Sequence, residues 1–547
     1  MSIRLIPLLS FCALAACGQP ANDLPEPTEP ATAETRPDIV LILVDDLGWS
    51  DLGAFGGEVA TPQLDELAEQ GLRFTQFHTT AKCFPSRGAL LTGLYPEQVG
   101  MDESPFSRIE AGVTIAEALG PAGYRTYMVG KHHALDNPVD RGFDRYVGLR
   151  DGASNHFNPG LMARPGEPPP ARKRGRARDG RWFCFDRDCV QGYTPEDPDY
   201  YSTDFYTDRA IEFVEDAADA GEPFFLYLAY QAPHDPLHAW PEDIEKYAEA
   251  YTDGFEPIAA ARYARMRELG VIDDRYPRSA PTFRDWSSLS PEQQREASRT
   301  MAVYAAMTDR LDQNLSRLVA TLKRLDRYDN TLILFTSDNG ASAELVREGG
   351  SDVDVGAEYP IGTVGRWASL GADWANVSNT PFRYYKNHSH EGGSASPLIA
   401  HWPAAVRAPG RMVHANAHLI DVFPTLLAVS GAAYPVEQPD GAAPPPLEGA
   451  DLSPYFESST VVERGEPVFQ RWQHGRSVRT ERWKLLSWAA PGQRAGDGAW
   501  ELYDMASDRT ETTDVAADNP EIVAELAAAY ETWLARVKPD TSSTDEP

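Results

Sequence analysis

The 547-residue sequence has few cysteines, a deficit of positive charge and no long apolar run beyond its N-terminal stretch. Lysine and arginine total 50 against 82 aspartates and glutamates, so the formal net charge is −32. A chain this acidic is not expected to bind nucleic acid, although the charge also fits a protein that is simply kept soluble. No later segment has the ~20 consecutive apolar residues that a membrane-spanning helix needs.

The N-terminal stretch predicts an exported, lipid-anchored protein. Residues 1–17 combine one basic residue with a short apolar run, which is typical of a secretory signal peptide. The final Leu-Ala-Ala-Cys resembles the lipobox of bacterial lipoproteins, in which the cysteine, here Cys17, is acylated. Gly18 then implies the outer membrane of a Gram-negative cell, in the periplasm or at the cell surface. An ordinary cleaved signal is the alternative. Residues 18–36 are rich in Pro, Glu, Ala and Thr and predict a disordered tether.

The cysteines beyond the signal peptide are Cys83, Cys184 and Cys189. Cys184 and Cys189 are close enough in sequence to close a small loop as a disulfide in an oxidising compartment. A metal site there is disfavoured, because no second cysteine or histidine pair lies nearby. Cys83 is therefore left unpaired, and a free thiol in an exported protein calls for a chemical explanation.

Apolar strands alternate with helices between residues 37 and 431. DIVLILVDD and TLILFTSDNG predict buried strands, and TPQLDELAEQGLRF predicts a helix capped by Thr61. This alternation predicts an α/β fold with a large, mostly parallel sheet sandwiched by helices. Residues 432–547 open with a Pro- and Gly-rich stretch, followed by SVRTERWKLLSW, AWELYD and a last helix. They predict a small C-terminal subdomain of antiparallel sheet plus helix, and a tail.

The predicted strands end on residues that carry chemistry. These residues are Asp45 and Asp46, Lys131 to His133, His234, and Asp338 and Asn339. Open α/β sheets gather ligands at the carboxyl ends of their strands, so we expect these side chains to meet there. The carboxylate and amide oxygens are hard ligands that suit Ca²⁺ or Mg²⁺. Solvated carboxylates at strand ends are the alternative interpretation.

Cys83 lies just ahead of a predicted helix, RGALLTGL, which begins at Arg87. Because a helix N-terminus stabilises negative charge, a thiolate nucleophile at Cys83 is one interpretation. The oxygen-rich metal site favours another, since an unmodified thiol is a poor partner for Ca²⁺ or Mg²⁺. An oxygen in place of the sulfur would serve such a site well.

The segment CFPSRGALLTG resembles the C-x-P-x-R signature of the type I sulfatases, members of the alkaline phosphatase superfamily. Other segments match motifs of that family in the same order. They are DIVLILVDDLGWSDLG, GYRTYMVGKHH, APHDPLHA, TSDNG, NTPFRYYKNHSHEGGSASPLIAHWP, VRTERWKLL and WELYD. The resemblance extends over residues 37–537. It implies an alkaline phosphatase-like fold and hydrolysis of an aryl sulfate or a sulfated carbohydrate.

The resemblance also implies that Cys83 is oxidised to formylglycine (3-oxoalanine) by a formylglycine-generating enzyme or a radical maturase. The hydrated aldehyde attacks sulfur and releases the alcohol, and its second hydroxyl then allows the sulfate to leave. One Ca²⁺ is implied at this position. Its expected ligands are Asp45, Asp46, the oxygen of modified Cys83, Asp338 and Asn339.

The remaining motif residues acquire roles by the same resemblance. Arg87 is expected to orient the formylglycine, while Lys131 and Lys386 hold the sulfate and offset the charge of the leaving group. Fixed cations are needed because cleavage of an anionic ester adds negative charge to the leaving oxygen. A histidine works as acid or base near neutral pH. His234 is expected to protonate the leaving alcohol, and His133 to assist the expulsion of sulfate.

Two residues depart from the family pattern. His132 stands where many members have tryptophan, and Phe84 occupies a position often held by a smaller residue. Neither change removes a chemical group. His238, His388 and His390 are interpreted as pocket lining, with surface or structural roles as the alternative.

Residues 164–181, RPGEPPPARKRGRARDGR, carry seven basic residues in an otherwise acidic chain. One hypothesis is a basic rim that attracts a sulfated polysaccharide, and the alternative is a solvated insertion.

Two rival functions also stand. A phosphonate monoester or phosphodiester hydrolase would share the metal site, and a non-catalytic lipoprotein would only bind sulfated glycans.

Overall fold

The computed structural model describes residues 36–172, 180–438, 440–458, 464–489 and 498–538. The predicted signal peptide, all of the predicted tether except Arg36, and residues 173–179 of the basic segment lie outside the described residues. Among the helices that are described, none combines the length and the apolar character needed to cross a membrane.

Eleven strands form one large sheet and four form a second, smaller sheet. The strands of the large sheet are β1 (Asp38–Asp45), β2 (Leu72–His78), β3 (Arg125–Gly130), β4 (Arg145–Leu149), β5 (Trp182–Phe185), β6 (Asp188–Gln191), β7 (Phe224–Pro233), β8 (Thr331–Ser337), β9 (Ala395–His401), β10 (Arg411–Val413) and β11 (Ala417–His418). The strands of the small sheet are β12 (Val468–Trp472), β13 (Gly475–Arg479), β14 (Trp483–Trp488) and β15 (Trp500–Asp504).

Strand β1 lies inside the large sheet, whose order is β10-β2-β9-β8-β1-β7-β3-β4-β5-β6, with β11 beside β2. It pairs in parallel with β7 and β8, and β3 and β4 continue in parallel beyond β7. Antiparallel pairs join β9 to β2 and β8, and join β4, β5 and β6 at the far edge. The prediction of a mostly parallel sheet is therefore confirmed.

Helices cover both faces of this sheet. They are α1 (Pro62–Gln70), α2 (Cys83–Thr92), α3 (Ile115–Leu119), α4 (Ser202–Ala220), α5 (Pro241–Glu245), α6 (Phe255–Glu268), α7 (Pro291–Arg324), α8 (Gly371–Ser378), α9 (Glu391–Ser394), α10 (Val422–Ser430), α11 (Pro454–Glu457) and α12 (Pro520–Val537). Successive side chains of a strand point to opposite faces. Val40 and Ile42 of β1 thus join a core that includes α1, α4 and α7, while Ile39 and Leu41 join a core with α2, α3 and α10.

The C-terminal subdomain has the predicted architecture. Strands β12 to β15 pair antiparallel in chain order, and α12 packs on them. Val478 and Leu485 of the sheet share a core with Trp533 of α12 and with Tyr95, which follows α2. The small sheet is thus docked on the part of the large domain that carries Cys83. The boundary between residues 431 and 432 stays a prediction.

Helix α2 begins at Cys83 itself, whereas the sequence predicts a helix that begins at Arg87, just after the CFPS segment. Pro85 falls in its first turn, where the missing N–H of proline has no helical partner to lose. All ten residues of α2 are buried. Cys83 is therefore held in a packed helix start and not in a free loop.

Cys184 and Cys189 lie opposite each other on β5 and β6 and form a disulfide. The bond closes the hairpin at the far edge of the large sheet. This pairing leaves Cys83 as the free cysteine of the described residues.

Candidate active site

Neighbouring parallel strands bring the predicted site residues to one edge of the large sheet. Strand β1 ends at Asp45, and β3, β7 and β8 are followed directly by Lys131, His234 and Asp338. Because β8, β1, β7 and β3 are adjacent and run in the same direction, their carboxyl ends meet. The fold therefore brings together the residues that were expected to meet at the strand ends.

Asp46 contacts three other predicted residues. Its Oδ1 accepts hydrogen bonds from Lys386 Nζ at 2.7 Å and from Asn339 Nδ2 at 2.6 Å. Its Oδ2 lies 3.5 Å from His234 Nε2. Asp46 has a φ of 64°, a left-handed conformation that aspartate tolerates better than most residues. Burial alone would lower the pKa of Lys386, but Asp46 and then Cys83 raise it well above its usual value, so this ammonium stays charged.

Asp45 belongs to a second group of buried charges. Lys131 Nζ contacts Asp45 Oδ2, and Arg87 Nη2 lies 3.6 Å from the same oxygen. Arg87 donates from Nε and Nη2 to Asp338 Oδ2 at 3.1 and 2.8 Å, and from Nη1 to the Lys131 carbonyl at 2.8 Å. Burial would raise the pKa of Asp45, but Lys131, His234 and Arg87 hold it well below its usual range.

Two buried oxygens of this cluster, Asp45 Oδ1 and Asn339 Oδ1, have no hydrogen-bond partner among the described residues. Buried polar atoms are nearly always partnered, so these two oxygens are free to ligate a cation. Asp45, Asp46 and His234 each offer one ligand atom, and these three atoms all lie within 4.8 Å of one another. Asp338 Oδ1 also faces this side, accepting from the Asp46 N–H at 3.3 Å. Carboxylate and amide oxygens predominate, and this set fits Ca²⁺.

Cys83 adjoins this cluster and is only 2% exposed. Arg87 lies one helical turn further along α2, so the helix fixes the position of Cys83 relative to Asp338. Burial alone would lower the pKa values of Arg87 and Lys386. Nearby carboxylates and Cys83 outweigh burial, and both pKa values are raised. Cys83 is therefore within electrostatic reach of both cations.

His234 lies among carboxylates. Its Nδ1 is 2.6 Å from the carbonyl oxygen of Asp235 and 2.9 Å from Asp235 Oδ1. Burial lowers the pKa of His234, but Asp46 and Asp45 outweigh that effect and raise it to about 9. An imidazole in this position favours the protonated form, the form that a general acid needs.

His133 lies among cations. The pKa of His133 is held well below its usual value, mainly by burial and then by the positive charges of Lys131 and Arg87. Its Nδ1 is buried without a hydrogen-bond partner among the described residues, and its ring packs edge-on against Phe84 at 5.8 Å between centroids. Two imidazoles with opposite surroundings at one site are the arrangement from which acid and base roles arise.

Glu344 belongs to the site and was missed by the sequence analysis. Its carboxylate accepts from Lys82 Nζ at 2.5 Å and lies 3.4 Å from Lys386 Nζ. It lines the same cavity as Asp46 and His234. Glu344 follows the TSDNG motif in an irregular connection, and no periodic pattern marks it. Asp235 was also missed, although it directly follows His234 in the sequence and could have been found from that position.

Close packing around His133 was not visible in the sequence. A Cβ at Gly152 would lie 2.5 Å from His133 Nε2, so this position requires the absence of a side chain. His132, the departure from the family pattern, directs its Nε2 to Asp136 Oδ2 at 3.4 Å. His132 therefore forms a polar contact next to the site.

The three less certain histidines have structural contacts. His238 is fully buried, and its Nε2 lies 2.9 Å from the carbonyl oxygen of Arg366. His388 is stacked between two aromatic rings, at 4.4 and 4.0 Å. His390 lies 3.7 Å from Glu501. Their contacts favour packing over a part in the chemistry.

Comparisons with known proteins agree with this geometry. The family model described as Sulfatase matches residues 37–432, a span that contains every predicted catalytic and metal-binding residue. The model described as N-sulphoglucosamine sulphohydrolase, C-terminal, matches residues 382–538 and includes the small sheet.

Individual relatives cover most of the chain. An arylsulfatase of Klebsiella aerogenes is 33% identical over 73% of this chain and 88% of its own length. An uncharacterized sulfatase of Schizosaccharomyces pombe is 29% identical over 91% of this chain and 93% of its own. The crystal structure of Ps i-CgsB is 25% identical, with a TM-score of 0.64, and the match covers 92% of this chain and 94% of that one. Because the sulfatase model spans more than half of the sequence and the bacterial relative exceeds 30% identity, the chain belongs to the sulfatase family of the alkaline phosphatase superfamily and is a sulfatase.

Proposed function

We propose that the protein hydrolyses a sulfate monoester by means of a formylglycine derived from Cys83, with one Ca²⁺ bound beside it. The observation that carries the proposal is the convergence of three buried cations, Arg87, Lys131 and Lys386, on the carboxylates next to Cys83. A sulfate ester is anionic, and its cleavage adds negative charge to the leaving oxygen. Fixed cations around a nucleophile are what that transition state requires.

Position 83 is suited to an aldehyde hydrate because the side chain is fixed at the first turn of a buried helix. Such a hydrate would supply one hydroxyl to attack sulfur and a second whose deprotonation would let the sulfate leave. A serine at this position would lack that exit, since water would then have to attack the sulfur. Arg87 is placed to orient the modified side chain, because the helix holds both residues on one face.

Asp45, Asp46, Asp338 and Asn339 would hold the Ca²⁺. When bound, the ion supplies positive charge close to the nucleophile and the sulfate oxygens. The two unpartnered oxygens of Asp45 and Asn339 support this assignment. Lys131 and Lys386 each contact one of the paired aspartates, so each ammonium is held in place where a sulfate would lie.

The two imidazoles divide the proton transfers. His234, next to Asp46, donates a proton to the leaving alcohol. His133, surrounded by Lys131 and Arg87, stays neutral and accepts the proton that leaves the hydrate when sulfate is expelled. Asp235 holds the His234 ring through Nδ1, which directs Nε2 towards the reaction centre.

The proposed substrates are aryl sulfates and sulfated carbohydrates. The Klebsiella aerogenes relative is named an arylsulfatase, and a Canis lupus familiaris relative, 27% identical, is named N-acetylgalactosamine-6-sulfatase. A structure of Ps i-CgsB, 25% identical to this chain, is described in complex with k-i-k-neocarrahexaose. These names support a sulfated glycan as the substrate class of this chain.

We also propose the partners and the location that the N-terminal sequence implies. A formylglycine-generating enzyme or radical maturase would modify Cys83. A lipid on Cys17 would tether the enzyme to the membrane, at the periplasm or the cell surface. The basic segment is proposed to attract polymeric substrate. Within it, Arg164 pairs with Glu167 at 2.6 Å, so this arginine already has a structural partner.

The first experiment is mass spectrometry of the tryptic peptide 83–87 from protein made in its own host. Conversion of the thiol to an aldehyde lowers the mass by about 18 Da relative to the cysteine peptide. An unmodified peptide in active protein would overturn the mechanism in favour of a thiolate.

The second experiment compares the rates of hydrolysis of 4-nitrophenyl sulfate and of bis(4-nitrophenyl) phosphate. A sulfatase should prefer the sulfate, and Cys83→Ala should abolish turnover. Preference for the diester would support the rival phosphodiesterase. Binding of a sulfated glycan without any hydrolysis would support the non-catalytic rival.

A further inference from the structure

A polar cavity lies between the large sheet and the small C-terminal sheet. It is lined by His78, Thr79, Glu391, His418, Gln470 and Arg479, together with Ser394, Ser477, Lys484 and Val468. We call it the interface cavity. The residues come from the ends of β2 and β11, from α9, and from β12, β13 and β14. Thr79 starts the short segment that leads from β2 to Cys83.

Arg479 is a buried cation of this cavity that has no carboxylate partner. It is 4% exposed, and its guanidinium donates to neutral oxygens, the carbonyl of Thr480 at 3.0 Å and Gln76 Oε1 at 3.0 Å. No carboxylate of the described residues forms an ion pair with it. Arginine stays charged in proteins, and a buried unpaired charge is strongly destabilising. Arg479 therefore lacks a negative group in direct contact.

The nearby carboxylates are already used by other groups. Glu391 contacts Lys484 Nζ at 2.6 Å and His78 Nε2 at 2.9 Å. Glu511 contacts Lys484 at 2.7 Å and accepts from the Glu391 N–H at 2.9 Å. Lys484 also lies directly opposite Arg479 in the antiparallel pair of β13 and β14, and like charges in that position repel. These contacts leave Arg479 without a direct carboxylate partner, although Glu391 and Glu511 act on it at longer range.

Donor groups of the cavity lining also lack partners among the described residues. They are Arg479 Nε, His418 Nε2 and Gln470 Nε2, although the backbone of Thr79 also interacts with the His418 ring. His418 Nδ1 accepts from the Ile420 N–H at 3.3 Å, so the ring proton is on Nε2 and that nitrogen is a donor. Gln470 Oε1 accepts from Ser477 Oγ at 3.2 Å, which leaves its amide N–H groups free. A lone water must donate as well as accept, whereas an anion accepts from every donor.

We propose that the interface cavity binds one small inorganic monoanion of the size of chloride. Arg479 supplies the charge, and His418 and Gln470 supply further N–H donors. The space holds about one water-sized group, which excludes sulfate and phosphate. The site is independent of the proposed reaction. The bound anion joins the small sheet to the end of β2, and thereby stabilises the segment that carries Thr79 and leads to Cys83.

The test is thermal unfolding of the full-length protein at constant ionic strength, with chloride replacing gluconate, which is too large for the cavity. Wild-type protein is expected to show a saturable rise in Tm with chloride, as for any ligand that binds the folded state. In Gln470→Glu the new carboxylate lies beside Arg479 and takes the place of the anion. This variant should have a higher Tm in gluconate than the wild type and no response to chloride.

Gln191→Glu is the matched control, since it adds the same charge at an exposed position of β6. It should keep the wild-type response to chloride. Crystals grown with bromide should show an anomalous peak in the cavity within about 3.5 Å of the donor nitrogens. A Tm that does not change with halide, a water in place of the bromide peak, or a Gln470→Glu variant that still responds to chloride would each overturn the proposal.

Discussion

Lys386 and Asp46 form an ion pair of 2.7 Å whose side chains are 0% and 4% exposed. The residues are 340 positions apart in sequence. Removal of either partner leaves the other as a buried, uncompensated charge, which typically costs ~3–5 kcal/mol. The pair therefore acts both on the folding of the site and on its proposed affinity for an anionic group.

Lys386→Ala is expected to lower kcat/KM for 4-nitrophenyl sulfate by about 10³-fold, because one electrostatic contact to the transition state is lost. Tm should fall as well, since Asp46 loses its partner. Steady-state kinetics and thermal unfolding measure the two effects. Lys323→Ala, at a half-exposed position of α7, is the control and should change neither. Activity within about twofold of wild type would remove Lys386 from the proposed mechanism.

Asn339→Leu removes one of the two unpartnered oxygens while nearly preserving side-chain volume. Chelation of wild-type protein with EGTA should lower Tm, and added Ca²⁺ should restore it, because a ligand of the folded state stabilises that state. The variant should show a much smaller response to Ca²⁺. Differential scanning calorimetry with and without Ca²⁺ makes the comparison. An undiminished response in Asn339→Leu would contradict the assignment of this ligand.

Gly152→Ala should displace His133, because the new Cβ would lie 2.5 Å from Nε2. We expect kcat for aryl sulfate to fall by about 10²-fold, the size of effect that loss of one acid–base group gives. Gly465→Ala is the matched control, since a Cβ there meets no atom within 4 Å. Equal effects of the two substitutions on kcat would show that close packing at Gly152 is irrelevant to His133.

Glu344→Gln removes a negative charge that is shared by Lys82 and Lys386 at the cavity. The field at the cavity becomes more positive, so KM for an anionic substrate should fall about threefold at low ionic strength and approach the wild-type value in high salt. Glu358→Gln, at an exposed position of the same connection, controls for the change in net charge. A rise in KM would mean that Glu344 instead positions Lys386.

Glu97 gives a pH-dependent contribution to stability away from the active site. Its side chain is buried, and burial raises its pKa from 4.5 to about 7. The folded state holds this proton more tightly than the unfolded state, so the contribution is present below pH 4.5 and is lost as the pH rises through 7. Above that range the ionised carboxylate costs up to about 3 kcal/mol.

Glu97→Gln should therefore raise Tm relative to wild type at about pH 8 and change it little at about pH 4. Thermal unfolding across this pH range gives the difference. Glu242→Gln, at an exposed position of α5, is the control and should show no such trend. A difference in Tm that is independent of pH would contradict the raised pKa.

The sequence was sufficient to predict the sheet edge because buried parallel strands have apolar runs that end abruptly. Asp45 at the end of β1 and Asp338 after β8 are marked by such endings, and the structure shows that the two strands are adjacent. The pairing of Asp46 with Lys386 is different, since Lys386 lies in a connection without periodicity. Its place at the site came from the family resemblance.

The contacts that the sequence analysis missed arise from irregular backbone. Glu344 lies in the long connection after β8, and Gly152 in the connection after β4, where neither spacing nor composition indicates proximity to the site. The sequence predicts the start of α2 at Arg87, whereas the helix begins at Cys83, because proline is well accepted in a first helical turn. Such features depend on tertiary packing, which local patterns do not encode.

Helix α2 limits when the proposed modification of Cys83 can take place. Cys83 is 2% exposed, and the nine residues that follow it in the helix are buried with it. A modifying enzyme needs access to the thiol in an extended segment, which the folded chain denies. Under the proposed mechanism, any molecule that folds before it is modified stays inactive until it unfolds. Specific activity in a preparation should accordingly follow the supply of maturase during synthesis, and incubation of folded protein with maturase should not recover it.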